Sequence, residues 1–277
     1  MRLFAFCIFF LSASTLSAQT ESVKKINVTV AAMYSSNASY YGQTTAEKLP
    51  YVLANATVRF PVGLYLSAGT YKLLNIGSGL SETDLGIGFE HDFSERLSVG
   101  LGYTKSFFPS NSPLLQAAND NNLDLSVGWK WPWFTTKLET NYAFGSENDV
   151  FLGIENSRSI ELGQLFSEKD ALSIEPAIEI VAGTQHFFNT YQQQKIKNNN
   201  GNGKGNNNGN GNGNVVTITE PATSFNLLSY NFKLPLYYSR ASYMAELSYQ
   251  FSVLGAEAIT EAKRSQSFIG LGFYYQF

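Results

Sequence analysis

The sequence predicts an all-β protein and, within that class, a closed antiparallel transmembrane β-barrel of about twelve strands. Three observations carry the prediction. Apolar and polar residues alternate with period two almost without a break from residue 26 to the last residue. Tight turns and long polar loops succeed one another as connections, and the polar face of the strands carries charge in mid-strand. The 277 residues are enough for one large β domain, and the formal net charge of −3 argues against a nucleic-acid partner.

The first eighteen residues stand apart. After Arg2 comes the apolar and small run "LFAFCIFFLSASTL", closed by Leu16-Ser17-Ala18, which reads as a cleaved secretory signal peptide. The run is shorter than the roughly 20 residues a spanning helix needs. Cys7 lies inside it, so residues 19–277, read as one barrel domain, hold no cysteine for a disulfide, thiol catalysis or a Cys-ligated metal. No later run is long and apolar enough to cross a bilayer as a helix, but strands can hide lipid-facing residues among polar ones.

The alternation predicts strands over 26–36, 50–60, 62–73, 82–93, 96–108, 121–131, 133–144, 149–163, 171–188, 223–237, 242–254 and 266–277. In the fifth, Leu97, Val99, Leu101 and Tyr103 alternate with Ser98, Gly100, Gly102 and Thr104; in the sixth, Leu123, Leu125, Val127 and Trp129 alternate with Asp124, Ser126 and Gly128. Odd-numbered connections are long and polar: 37–49, 74–81, 109–120, 189–222 and 255–265, with 145–148 the short exception. Even-numbered connections are mostly tight, as at 60–62, 93–96, 131–133 and 239–241. This asymmetry is that of a membrane barrel, with short turns and both termini on the periplasmic side and long loops outside. Residues 198–214 contain only Asn, Gly and one Lys and are expected to be a disordered loop tip, because they can bury nothing to offset the entropy of ordering.

A soluble barrel alternates too, with its apolar face inward. Acids and bases in mid-strand on the polar face favour the inverted arrangement, since a wet lumen gives them partners. Rings collected near both strand ends add to this: Trp129, Trp131, Trp133, Tyr237, Tyr238 and Tyr243 at one, Phe107, Phe108, Phe144, Phe187 and Phe188 at the other. The last segment, "GFYYQF" with Ile269, Leu271, Phe273, Tyr275 and Phe277 in one phase, resembles the closing strand of bacterial outer-membrane β-barrel proteins. The resemblance implies location in the outer membrane of a Gram-negative-type bacterium. It also implies outer-membrane lipid as surroundings and recognition of the C-terminal strand by the outer-membrane assembly machinery.

Two residues strain the pattern. Pro176, inside the ninth segment, cannot donate to a ladder and is expected to mark a bulge. Arg158 is in phase with lipid-facing Leu152 and Ile154, so it must lie outside the hydrocarbon or the register must shift between Ile154 and Ile160. They leave ten or fourteen strands as alternative totals.

Chemistry is sparse. His91 neighbours Asp92 and Ser94, but Asp92 points to the other face, and the order His-Asp-Phe-Ser departs from the His-x-Ser pair of outer-membrane lipid hydrolases. His186 has no carboxylate nearby in sequence. Glu175 and Glu179 share a strand face but stand about 13 Å apart at strand rise, too far to share an ion. No catalytic, metal or cofactor site is expected.

The phases place Arg59, Lys130, Lys137 and Lys233 on the inner face against Glu90, Asp92, Asp124, Glu139, Glu155, Glu161, Glu175, Glu179 and Glu246, with Gly86, Gly88, Gly100, Gly102, Gly128 and Gly153 leaving room beside them. A lumen richer in acids than bases attracts cations. The expected function is a passive channel for small hydrophilic neutral or cationic solutes. A non-conducting scaffold barrel whose long loops bind an extracellular ligand is the alternative, and a lipid-modifying enzyme the third.

Overall fold

Along Glu82–Asp92 every second side chain, from Glu82 to Glu90, turns into the protein, while Leu85, Ile87 and Phe89 stand exposed on its outside. The other strands repeat this inside-out arrangement: Leu101 is 50 % and Leu271 53 % exposed, whereas Glu90 is 6 % and Glu179 5 % exposed. Apolar residues here face outward because the barrel's solvent is hydrocarbon, and the inward polar groups satisfy one another.

The computed structural model describes residues 25–110, 112–188, 224–258, 260 and 262–277. The segment read as a signal peptide and the Asn/Gly tract at 198–214 lie outside them. The strands are β1 (Asn27–Ser35), β2 (Tyr51–Arg59), β3 (Leu64–Leu73), β4 (Glu82–Asp92), β5 (Leu97–Phe107), β6 (Asn121–Lys130), β7 (Thr135–Phe144), β8 (Asn148–Ser157), β9 (Ile160–Gly163), β10 (Asp170–Ile174), β11 (Ala177–Gly183), β12 (Asn226–Arg240), β13 (Tyr243–Leu254) and β14 (Ser265–Gln276). Each pairs antiparallel with its neighbours, and β1 pairs β14 from Thr29↔Gln276 to Ser35↔Gly270, so the sheet closes.

Fourteen segments make twelve barrel strands, because β8 runs on into β9 and β10 into β11. Ser157↔Ala177 and Ile160↔Ile174 lie on one unbroken register. Pro176 therefore marks no bulge. It only removes a donor, and Pro235 on β12 removes another, while Arg158 N still donates to Pro176 O and Glu175 N to Pro235 O. The register shifts fall elsewhere, between Leu172 and Ser173 and between Val181 and Ala182. Arg158 stays outward without a register shift, one pair beyond Thr135↔Ser157, where β7 begins.

The tight turns explain themselves locally. In the β2–β3 turn Gly63 has φ of 95° and its N–H donates to Phe60 O; a side chain there would strike Glu90 O. Before β10, Asp170 accepts the N–H groups of Leu165, Phe166 and Ser167.

The ninth predicted strand is too long. It ends at Gly183, and 184–188 turn into the barrel mouth. Phe187 and Phe188 are buried there, and Tyr237 lines the lumen, so none of the three belongs to an outer ring of aromatics. Trp129, Trp131 and Trp133 are exposed at the short-turn end.

Candidate functional site

The lumen is the site, and its wall is built by strand alternation. Arg59 on β2 pairs with Glu90 on β4, Lys137 with Glu139 on β7, and Lys233 on β12 with Glu155 on β8 at 2.6 Å and Glu179 on β11 at 3.0 Å. These pairs run along the wall, between residues of one strand, adjacent strands or next-but-one strands. Other inward acids rest on neutral donors. Asp124 accepts from Asn141 at 2.7 Å, Glu175 from Ser157 at 3.0 Å, and Glu246 from Tyr274 at 2.8 Å. Asp92 and Lys130, in the same inward phase, are exposed at the short-turn rim, and Glu161 on β9 is exposed as well.

Two acids of β4 escaped the sequence reading, as did Asp149 of β8. Glu82 accepts from Gln116, and Asp84 accepts from Ser106 at 2.6 Å; both are buried. Their signal was present, since 82 and 84 continue the inward phase of Glu90.

The glycines do not open the lumen as expected. A Cβ at Gly88 would meet the Tyr65 ring; at Gly86 it would meet Ser67, at Gly100 Ser126, and at Gly128 Ser98. Cross-strand side chains lean into each gap, because a barrel interior favours contact over empty space. Gly153 is the roomier case, with Glu139 Cβ at 3.8 Å. Beneath them is a cavity of 110 Å³ between Glu175, Lys233, Tyr237, Glu246 and Gln250.

Above it the loop after β1 crosses the lumen. Tyr41 stacks on Phe151 of β8 with ring centroids 3.6 Å apart and donates to Asn141 of β7 at 2.9 Å; its own O accepts from Ser229 of β12 at 2.8 Å. Tyr40 meets Phe151 and Phe187 edge-on. With Leu115, Ala118, Phe188 and Leu228 they form an apolar plug inside the long-loop end. Desolvation holds both tyrosine hydroxyls well above their ordinary pKa range, so they stay neutral.

His186 does have a carboxylate, brought from β8. Its Nδ1 lies 3.1 Å from Asp149 Oδ1, and Asp149 also accepts the N–H groups of His186 and Phe187, Thr184 Oγ1 and Asn119 Nδ2. Asp149 anchors the 184–188 turn. His91 lies on the outer wall between Phe89 and Phe93. Among the described residues no group of three metal-ligating side chains is present.

With this geometry the chain is similar to solved bacterial barrels. A KdgM porin structure matches with a TM-score of 0.50 at 10 % identity, covering 90 % of this chain and 99 % of that one. The fold is that of the bacterial outer-membrane β-barrels. A NanC porin (TM-score 0.45, 8 % identity, 90 % and 98 % coverage) and LpxR from Salmonella typhimurium (0.46, 8 %, 90 % and 99 %) also match. No protein-family model matches the sequence, and no curated protein does.

Proposed function

We propose that the barrel is an outer-membrane channel for small hydrophilic solutes, neutral or cationic. The observation that carries this is the charge balance of the inward face. Arg59, Lys137 and Lys233 are each matched by an acid, while Asp84, Asp124, Glu175 and Glu246 rest on neutral donors, so the inward acids outnumber the inward bases. A cavity of 110 Å³ lined by Glu175, Glu246 and Gln250 is of a size for small hydrophilic solutes. The short turns then face the periplasm and the C-terminal strand meets the assembly machinery.

The test is a planar-bilayer recording of the refolded chain under a KCl gradient. The expected result is single-channel conductance with a reversal potential favouring K⁺; anion preference would overturn the reading. The plug around Tyr40 and Tyr41 favours a second reading, a barrel closed at rest whose outer loops bind a partner. Silence from the intact chain, with conductance appearing only after 38–45 is replaced by a short Gly/Ser link, would select that one.

A further inference from the structure

The outer wall is not uniformly convex. Where Pro176 lies beside Leu234, each neighbouring strand lacks a donor and the short proline ring leaves a dent in the apolar belt. A groove of 470 Å³ results, floored by Pro176 and flanked by Phe134, Ile178 and Leu234. On its β8 side stand two polar residues, Asn156 level with Ile178 and Arg158 level with Pro176.

Both are poised as donors. Asn156 Oδ1 accepts from Thr136 Oγ1 at 2.7 Å, which in turn accepts from Trp131 Nε1 at 3.1 Å; this fixes the amide. Its Nδ2 has no protein partner among the described residues, and the exposed Arg158 guanidinium has no carboxylate partner among them either. Arg158 lies opposite the start of β7, next to Phe134 and on the short-turn half that carries the exposed Trp129, Trp131 and Trp133, rings of the type that gather at headgroup level. A guanidinium there meets phosphate bidentately at little desolvation cost.

We propose that this groove binds an anionic phospholipid. Arg158 and Asn156 hold the phosphodiester, and one acyl chain lies along Pro176, Ile178 and Leu234. The occupant is a membrane lipid because the groove opens on the lipid-facing wall, and an anionic one because the cation at its lip has no acid to neutralise it. The inference rests on the reading of the chain as a membrane barrel.

The test refolds the chain into vesicles of phosphatidylcholine containing phosphatidylglycerol. Retained lipids are counted by native mass spectrometry after mild detergent extraction, and insertion is checked by heat-modifiable gel mobility. Wild type should retain phosphatidylglycerol in preference to phosphatidylcholine, and Arg158→Gln should lower that preference about fivefold, the scale for one basic group at a membrane surface. Leu234→Trp, which fills the acyl seat and leaves the cation, should also lower retention. Lys169→Gln, which removes an exposed charge from the nearby turn, should leave it unchanged, as should millimolar inorganic phosphate. Equal preference in wild type and Arg158→Gln, or an equal loss in Lys169→Gln, overturns the site while sparing the barrel. Wild type that fails to insert overturns both.

Discussion

Lys233 holds Glu155 and Glu179 together, and all three are mostly withdrawn from solvent. Lys233→Met removes the only cation within ion-pair distance of Glu155 among the described residues, leaving acids facing one another on the inner wall. Breaking such a set costs roughly 3–5 kcal/mol, so the urea midpoint of the refolded barrel should fall, and Glu155→Gln in the same background should restore part of it. An unchanged midpoint would mean that lumen water solvates these acids freely. Gly88 is a steric counterpart. Gly88→Ala should cost roughly 1–3 kcal/mol, because its methyl must displace the Tyr65 ring, and Tyr65→Ser should relieve most of that loss. At this scale period-two alternation puts Glu90, Asp124 and Glu179 on the polar face of their strands. It could not tell which of them meet. Lys233 and Glu155 lie 78 residues apart in sequence, and Asp149 lies 37 from His186, so both partnerships follow from closure and not from local pattern.

Between strands and loops the sequence was legible to different degrees. A lipid-facing strand must alternate, so each strand betrays itself, and even the split at Pro176 left the count at twelve. Loop 37–49 offers no such constraint. Its Tyr40 and Tyr41 read as ordinary polar-loop residues until Phe151, Asn141 and Ser229 are brought opposite them. The strap is held by that stack and two hydrogen bonds, and truncating a buried aromatic costs roughly 3–5 kcal/mol. Tyr41→Ala should therefore release the strap locally while the strand ladders persist. Under the channel reading, conductance should rise with cation preference retained; an unaltered conductance would show that the strap does not limit passage. Asp149→Ala tests the facing element. It strands the N–H groups of His186 and Phe187 at about 1–3 kcal/mol, and limited proteolysis should cut near 184–188 faster than in wild type.

Closure governs the whole molecule. In hydrocarbon an unpaired strand edge leaves every second backbone group without a partner, at several kcal/mol for each. The β1–β14 seam removes both edges at once, running from Ser36, whose N–H donates to Ile269 O, to Phe277, whose N–H donates to Val28 O. The backbone amide of Phe277 is thus part of the seam's lower end, while its ring stands exposed. Deleting 265–277 exposes β1 and β13 together, so no shorter barrel can form without breaking the other registers. The truncated chain should fail to show heat-modifiable mobility in vesicles and should aggregate. A chain lacking Phe277 alone loses one seam hydrogen bond and should still close, with a slightly lower urea midpoint. If the long truncation folded as cooperatively as wild type, stability would have to reside in the plug of Tyr40, Tyr41, Phe151 and Phe187 and not in the ring of strands.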